Sequence, residues 1–206
     1  MIKKILRKFF KSIYKSPEND TFFKLFDLNK IRFNVGSGKV GFENDWFNTD
    51  KTTLDITQLN EWKRYLKFLK TDNVFAEHVW EHLTPEQADA SNKNIYQCLK
   101  SGGRFRVAVP DGFNPDAAYI NHVKVGGIGP GADDHKILYN YKTMKASLEK
   151  IGFKVELLEY WDEHGKFHYT DWDLEHGKVL RSRRFDKRNE NGELKYTSLI
   201  IDAIKP

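Results

Sequence analysis

Residues 31–38 read IRFNVGSG, an apolar strand run that stops on two glycines, and this stretch constrains the fold more than any other. A strand that ends in a turn without Cβ atoms brings bare backbone to whatever lies beyond it. Two further apolar runs also end in polar groups. WFNTD closes on Asp50, and VFAEHVWEHL over 74–83 opens as a strand and closes on Glu77, His78, Glu81 and His82. Strands with polar carboxyl ends, alternating with helical patterns, build an open α/β sheet that takes its ligand at one edge.

Composition narrows the class. The 206 residues, 39% apolar and 14% aromatic, suffice for one α/β domain. Cys98 is the only cysteine, which excludes an internal disulfide and a cysteine-based metal site and fits a reducing, cytoplasmic setting. No run reaches the roughly 18 apolar residues of a membrane span. Lys and Arg interrupt residues 1–15 too often for a secretory signal. The net charge of +5 is local: six of the 34 Lys and Arg fall in residues 1–15, so the remainder carries 28 against all 29 acids, a net of −1. Binding along a nucleic-acid backbone needs a sustained positive surface, so no nucleic-acid partner is expected.

Residues 2–14 place Ile2, Ile5, Leu6, Phe9, Phe10, Ile13 and Tyr14 at the spacing of one helical face, and Ser16-Pro17 ends the run. A basic amphipathic helix within 1–16 is therefore predicted ahead of a single domain over 17–206. Strands are predicted near 31–35, 46–49, 73–76, 104–109, 153–160 and 195–204, and helices over 58–70, 85–99 and 140–150. Thr84, Pro85 and Gln87 give the second helix a start signal: an N-cap, a proline at the first helical position and a capping-box partner. NENG over 189–192 is a turn signal that predicts pairing of the last strand with a segment just before it. A polar, aromatic-rich insertion spans about 161–194, where Trp161, Phe167, His168, Tyr169 and Trp172 mix with Asp171, Asp173 and Arg181. Flat rings beside acids and arginine suit a carbohydrate face; a β-extension or a dimer contact uses the same residues.

FNVGSG, DWFNTD and AEHVWEHL are followed by LKSGGRFRVAVPDG over 99–112 and LEKIGFKVELLEY over 148–160. In order and content these resemble the motifs of class I S-adenosylmethionine-dependent methyltransferases, in particular a small bacterial branch associated with surface polysaccharides. The resemblance implies an α/β, Rossmann-like, mostly parallel sheet with helices on both faces and an antiparallel last strand. It implies S-adenosylmethionine as cofactor, held by Gly36, Ser37 and Gly38 through backbone and by Asp50 at the ribose hydroxyls. Asp55 and Ile56 fall to the adenine, and Glu77 and His78 to the pocket rim. A charged acceptor such as Asp50 makes the stronger bidentate contact, and glycines let a carboxylate or ribose lie against N–H groups. Two departures stand out. Only KVGFENDWFNT separates Gly38 from Asp50, too short for a strand plus a three-turn helix, so the first helix is reduced or missing. Asn34 stands where larger relatives carry an acid, which leaves Glu77 as the group to meet the methionine amine.

His78-Val79-Trp80-Glu81-His82 also matches HxxEH, in which two His four apart on a helix bind zinc and Glu activates water. A strand runs directly into the motif, a new helix starts at Thr84, and the sequence identifies no third ligand. A zinc-dependent hydrolase is thus the lesser reading, beside a non-catalytic module that binds S-adenosylmethionine or nucleotide, and no metal is expected. Asp111 after the 104–109 strand and His135 in the loop GGIGPGADDHK join His82 as candidate catalytic bases, since a base is needed only where the accepting atom loses a proton. The resemblance points to O-methylation of a sugar or other small polar acceptor in cell-surface glycan biosynthesis.

The amphipathic pattern over 2–14 suits either a helix lying in an anionic membrane surface or a helix packed on the sheet in place of the missing first one. On the membrane reading, a chain lacking residues 1–15 should lose binding to phosphatidylserine vesicles, at about 1 kcal/mol per basic residue, and keep its cooperative melt. Vesicle co-sedimentation and a thermal melt check this; loss of the melt would put the helix in the core.

Overall fold

The computed structural model describes residues 30–38, 41, 46–189 and 192–206. The helix expected over 2–14 lies outside them. Seven strands form one sheet in the order β2-β1-β3-β4-β7-β5-β6: β1 (Arg32–Val35), β2 (Phe47–Thr49), β3 (Thr71–Glu77), β4 (Leu99–Pro110), β5 (Lys154–Trp161), β6 (Phe167–Tyr169) and β7 (Ser198–Ile204). β1 pairs in parallel with β2 and β3, and β3 with β4. β7 runs antiparallel between β4 and β5, so β1 to β5 all point one way. The chain leaves β1 outward to β2 and then returns across β1 to β3. The order therefore reverses at the β1/β3 pair, and the crevice at the carboxyl ends of those strands is where such sheets take ligands. The topology is Rossmann-like, with a mostly parallel sheet and an antiparallel final strand.

Four helices are described: α1 (Leu59–Leu66), α2 (Pro85–Cys98), α3 (Ala117–Val123) and α4 (Tyr141–Glu149). Thr84 caps α2 as its sequence predicts, accepting from the Gln87 N–H while the Gln87 side chain accepts from the Thr84 N–H. Asn140 and Thr143 cap α4 in the same reciprocal way. Trp62 and Leu66 of α1, Ile95 of α2, and Met144 and Leu148 of α4 pack with Phe33, Val74, Phe105, Val107 and Ile201 in one core. Each such side chain contributes about 1.5–3 kcal/mol on burial. Among the described residues no helix lies between β1 and β2. The α3 helix has no counterpart among the sequence expectations; seven residues are too few to show a period, although Asp116 caps it by accepting from the Ala118 N–H.

The strand period of two sends Phe75, Ala108, Leu158 and Ile200 to the opposite face, where they pack with Trp46, Trp172 and Val179. Among the described residues this face is covered by a strap, residues 170–189, whose regular structure is a single 3-10 turn, Leu174–His176. Charged side chains from the sheet satisfy the strap's backbone. Arg106 is fully buried, with Nε and Nη2 on the two Asp202 oxygens (2.7 and 2.8 Å) and Nη1 on the Asp173 and Gly177 carbonyls (2.6 and 2.8 Å). Its guanidinium lies 4.7 Å from the Trp172 ring centroid. Glu159 accepts from Trp172 Nε1 and the Arg183 N–H. Gly177 has φ +110, and a Cβ there would lie 2.2 Å from Phe75 Cδ2, so the strap can approach the sheet only through glycine.

Two expectations about this region need correction. β7 pairs with β4 and β5 rather than with a segment just before it, and the Asn189 side chain instead clips the chain by bonding the Ser182 and Tyr196 carbonyls and the Tyr196 N–H. The aromatic residues of the insertion do not make one open face: Trp172 is buried, Trp161 and Phe167 are half-buried, and Trp161 Nε1 is held by Thr197 Oγ1. Tyr169 stays exposed, with the Arg183 guanidinium 3.8 Å from its ring centroid.

Arg106→Met should lower the unfolding free energy by about 3–5 kcal/mol, because Asp202 would stay buried without its main partner. Guanidinium titration measures it, and a loss below about 1 kcal/mol would show that Arg104, also 2.7 Å from Asp202, suffices.

Candidate functional site

A cavity of about 540 Å³ opens at the carboxyl ends of β1 and β3. Asn34, Gly36 and Ser37 come to it from β1 and the turn after it, and Phe75, Glu77 and His78 from the end of β3. Glu81 and His82 follow in a 3-10 turn, Trp80–His82. The far side is closed by His122 and Val123 of α3, by the loop over 129–135, and by Leu180, Arg181, Arg188 and Tyr196. No described helix is long and apolar enough to cross a membrane.

The glycine turn is local geometry with a definite cause. Gly36 and Gly38 have φ of +66 and +55, and a Cβ on Gly36 would come 2.4 Å from Val79 Cγ2. Gly36 is thus required by the chain's own packing as well as by any ligand. The Ser37 N–H donates to the Thr49 carbonyl at 2.9 Å, which ties the turn to the end of β2. Asp50 follows directly, beside the turn but not on the cavity wall, and its Oδ1 accepts from the Lys51 N–H at 2.6 Å. Gly38, Asp55 and Ile56 are also off the wall. Asp55 Oδ1 accepts from the Thr57 N–H and hydroxyl, and the buried Ile56 offers its carbonyl to Trp62 Nε1 and Asn94 Nδ2.

Glu77 is committed elsewhere than the expected amine. Its two oxygens accept from the Leu180 and Arg181 N–H groups at 3.0 and 2.7 Å and so anchor the strap to β3. His78 follows with φ +56, an uncommon region for a residue with a side chain. Its Nε2 lies 2.9 Å from Ser198 Oγ and its Nδ1 3.1 Å from Glu81 Oε1. The HxxEH reading fails on this geometry: residues 80–82 are a 3-10 turn rather than a long helix, and His78 faces Ser198 instead of sharing a site with His82.

His82 and His135 are brought together, with ring centroids 4.8 Å apart. His82 Nδ1 lies 3.3 Å from Asp134 Oδ2. His135 is buried, and its Nδ1 lies 2.7 Å from the Val123 carbonyl; a carbonyl only accepts, so Nδ1 carries the proton. The Lys136 and Ile137 N–H groups donate to the Glu81 carbonyl, which fixes the loop against the turn. Glu81 itself is 1% exposed. Burial disfavours its charge, but the adjoining His78 outweighs burial and holds the carboxyl below the ordinary range. His78 Nδ1 is within ion-pair distance yet outside hydrogen-bond geometry, and neither Glu81 oxygen has a hydrogen-bond partner. Glu81 was legible as part of HVWEHL; Arg181 was read only as part of the aromatic-rich insertion, and nothing in the sequence assigned it, Arg188 or Tyr196 to this cavity, which they reach only when the C-terminal segment folds back.

No protein-family model matches the chain, and no curated protein matches it. Among solved structures it is similar to a SAM-dependent methyltransferase from Archaeoglobus fulgidus, at 19% identity over 96% of this chain and 98% of that one, with TM-score 0.46. A possible histamine N-methyltransferase from Thermotoga maritima gives 11% identity over 99% and 97%, with TM-score 0.49. Magnesium protoporphyrin IX methyltransferase from Synechocystis gives 12% over 92% and 82%, with TM-score 0.45. Superposition this loose assigns neither a family nor an activity.

The structure does not bring Asp111 to His82 and His135. It is fully buried, and its two oxygens accept from the Phe113 and Trp161 N–H groups, joining the end of β4 to the end of β5. Burial pushes its pKa from 3.8 up to about 6 against those two bonds. The protonated carboxyl therefore contributes stability that is full below the unfolded value near 3.8 and is lost as pH rises to about 6. Relative to Asp111→Ala, the wild-type chain should lose on the order of 2–3 kcal/mol between about pH 4 and about pH 7. Denaturant titrations at both ends of that window measure it; equal pH dependence in the two proteins would clear Asp111 as the source.

Proposed function

We propose that this chain is an S-adenosylmethionine-dependent methyltransferase whose acceptor is a sugar hydroxyl or another small polar group. The observation that carries the reading is the position of the cavity, at the point where strand order reverses and directly after the glycine turn of β1. Its volume falls in the range of about 300–1,000 Å³ usual for cofactor and small-molecule sites. The ordered motifs over 31–160 support the same reading.

The residues present fit the cofactor in part. Asp50 stands beside the Gly36–Ser37 turn with one carboxylate oxygen on its own backbone, which leaves the other for a ribose hydroxyl. With Glu77 anchoring the strap and His78 bonded to Ser198, the polar side chains from β1 and its turn on that wall are Asn34, whose Nδ2 donates to Asn48 Oδ1, and Ser37. Bound in this cavity, S-adenosylmethionine supplies an electrophilic methyl on a sulfonium. The chain's task is to align an acceptor with that methyl, since positioning supplies much of the rate of an in-line displacement. His82 and His135, which line the cavity with their rings 4.8 Å apart, are the groups suited to take a proton from a hydroxyl as it reacts.

Isothermal titration with S-adenosylhomocysteine tests the cofactor. The wild-type chain should bind it, and Asp50→Ala should bind about tenfold or more weakly, the equivalent of about 1.5–3 kcal/mol for a hydrogen bond to a charged group. Equal affinity in a folded variant would remove Asp50 from the site. Mass spectrometry of a panel of sugars incubated with the chain and S-adenosylmethionine then separates an enzyme from a binding module, which would bind without transferring a methyl.

A further inference from the structure

We propose that Glu81, His82 and His135 form a binding site for a divalent transition-metal cation of the zinc type in the wall of this cavity. One ligand atom from each of the three lies within 4.8 Å of the others. Two features mark the cluster as a built site rather than a chance grouping. The first is Glu81, buried to 1% exposure with both carboxylate oxygens lacking hydrogen-bond partners. His78 Nδ1, 3.1 Å from Oε1, meets one side of this carboxylate; Oε2 has no partner at all, and a buried carboxylate so partly met still favours a further cation or donor.

The second is the way both imidazoles are held from behind. His135 Nδ1–H donates to the Val123 carbonyl at 2.7 Å, and His82 Nδ1 lies 3.3 Å from the Asp134 carboxylate. For His135 the carbonyl settles the proton on Nδ1 and leaves Nε2 with its lone pair; for His82 the Asp134 carboxylate lies on the Nδ1 side at ion-pair distance. Metal-ligating histidines are oriented in this manner, with the second nitrogen donating to a carbonyl or carboxylate. The two halves of the cluster are also fixed to each other, because the Glu81 carbonyl accepts from the Lys136 and Ile137 N–H groups.

Two imidazole nitrogens and one carboxylate oxygen suit zinc and its neighbours better than magnesium, which prefers oxygen alone. At bond lengths near 2.0–2.2 Å the three donor atoms would stand about 3–3.5 Å apart, so the loop bearing His135 closes by about 1–2 Å on binding. Three protein ligands leave a position open to the cavity, where an oxygen of a bound acceptor can coordinate. The site shares Glu81 and His82 with HxxEH but replaces its first histidine: His78 Nε2 is bonded to Ser198, and the third ligand, His135, comes from a different loop.

The test uses the full chain, stripped with EDTA and titrated with zinc in the absence of any adenosyl ligand. Zinc should bind with a stoichiometry of one per chain. Glu81→Gln, His82→Ala and His135→Ala should each weaken binding by about tenfold or more, whereas His164→Ala on the exposed surface should not change it. Cobalt in the wild-type chain gives a reading that needs no substitution: coordination by imidazole at a low-coordinate site produces strong visible absorption, and carboxylates at the surface leave the pale spectrum of the hydrated ion. Absence of zinc binding by the wild type, unchanged affinity in the three variants, or a hydrated-ion cobalt spectrum would each overturn the site. Because metal and S-adenosylhomocysteine are titrated separately, zinc binding without adenosyl binding would defeat only the methyltransferase reading, and the reverse only this one.

Discussion

The Arg106 guanidinium is the contact on which the second face of the sheet depends. A charge buried to 0% exposure in the middle of a sheet is tolerable only if it is paired and well supplied with acceptors, and here Asp202 takes two of the five N–H groups while the strap carbonyls of Asp173 and Gly177 take two more. The consequence is architectural. A helix satisfies its own backbone and asks the sheet only for apolar contact. The strap over 170–189 has almost no internal ladder, so the sheet must supply its partners, and Arg106, Glu159 and Glu77 do so from three neighbouring positions.

That arrangement reaches the cavity. Glu77 holds Leu180 and Arg181 at the end of β3, and the same strap then delivers Arg188 and, after the Asn189 clip, Tyr196. One wall of the site therefore consists of strap residues whose placement is set by side chains bonded to backbone, Glu77 at the end of β3 and Asn189 at the end of the strap. Arg188 is itself paired with Asp186 through two short bonds and lies 3.6 Å from the Tyr196 ring centroid, so the wall is polar but locally neutralised. Such a lining suits a polar, weakly charged ligand better than a strong anion.

The elements that make the β1/β3 crevice were legible because they are local. Apolar runs located six of the seven strands, missing the short β6 and the first five residues of β4, and the caps at Thr84 and the periodic stretches gave α1, α2 and α4. The strap was not legible, for a physical reason. In RFRVAVP the alternation of Arg104 and Arg106 with Phe105 and Val107 reads as a strand with one wet face. The partner that makes that face dry, Asp202, is 96 residues further on, and nothing local announces it. Of the site, Gly36, Ser37, Glu77, His78 and His82 could be named from motifs, but the union of His135 with Glu81 depends on a loop closing through backbone bonds. Asp111 misled for the opposite reason: its position at a strand end is what the motif predicts, while its carboxyl is turned into the protein to satisfy two N–H groups.

Within the turn after β3, two local rules are broken three residues apart. His78 adopts a left-handed conformation that a side chain disfavours, and Glu81 buries a carboxylate without a hydrogen bond. Either alone costs on the order of 1–3 kcal/mol. The two are coupled, because the His78 conformation is what sets Nδ1 beside Glu81 and Nε2 against Ser198. A sequence free to relax would replace Glu81 with an apolar residue matching the core around Trp80. The ionised group is retained there because His78 stands beside it at ion-pair distance and outweighs the cost of burial, so the strain at His78 and the charge at Glu81 support each other.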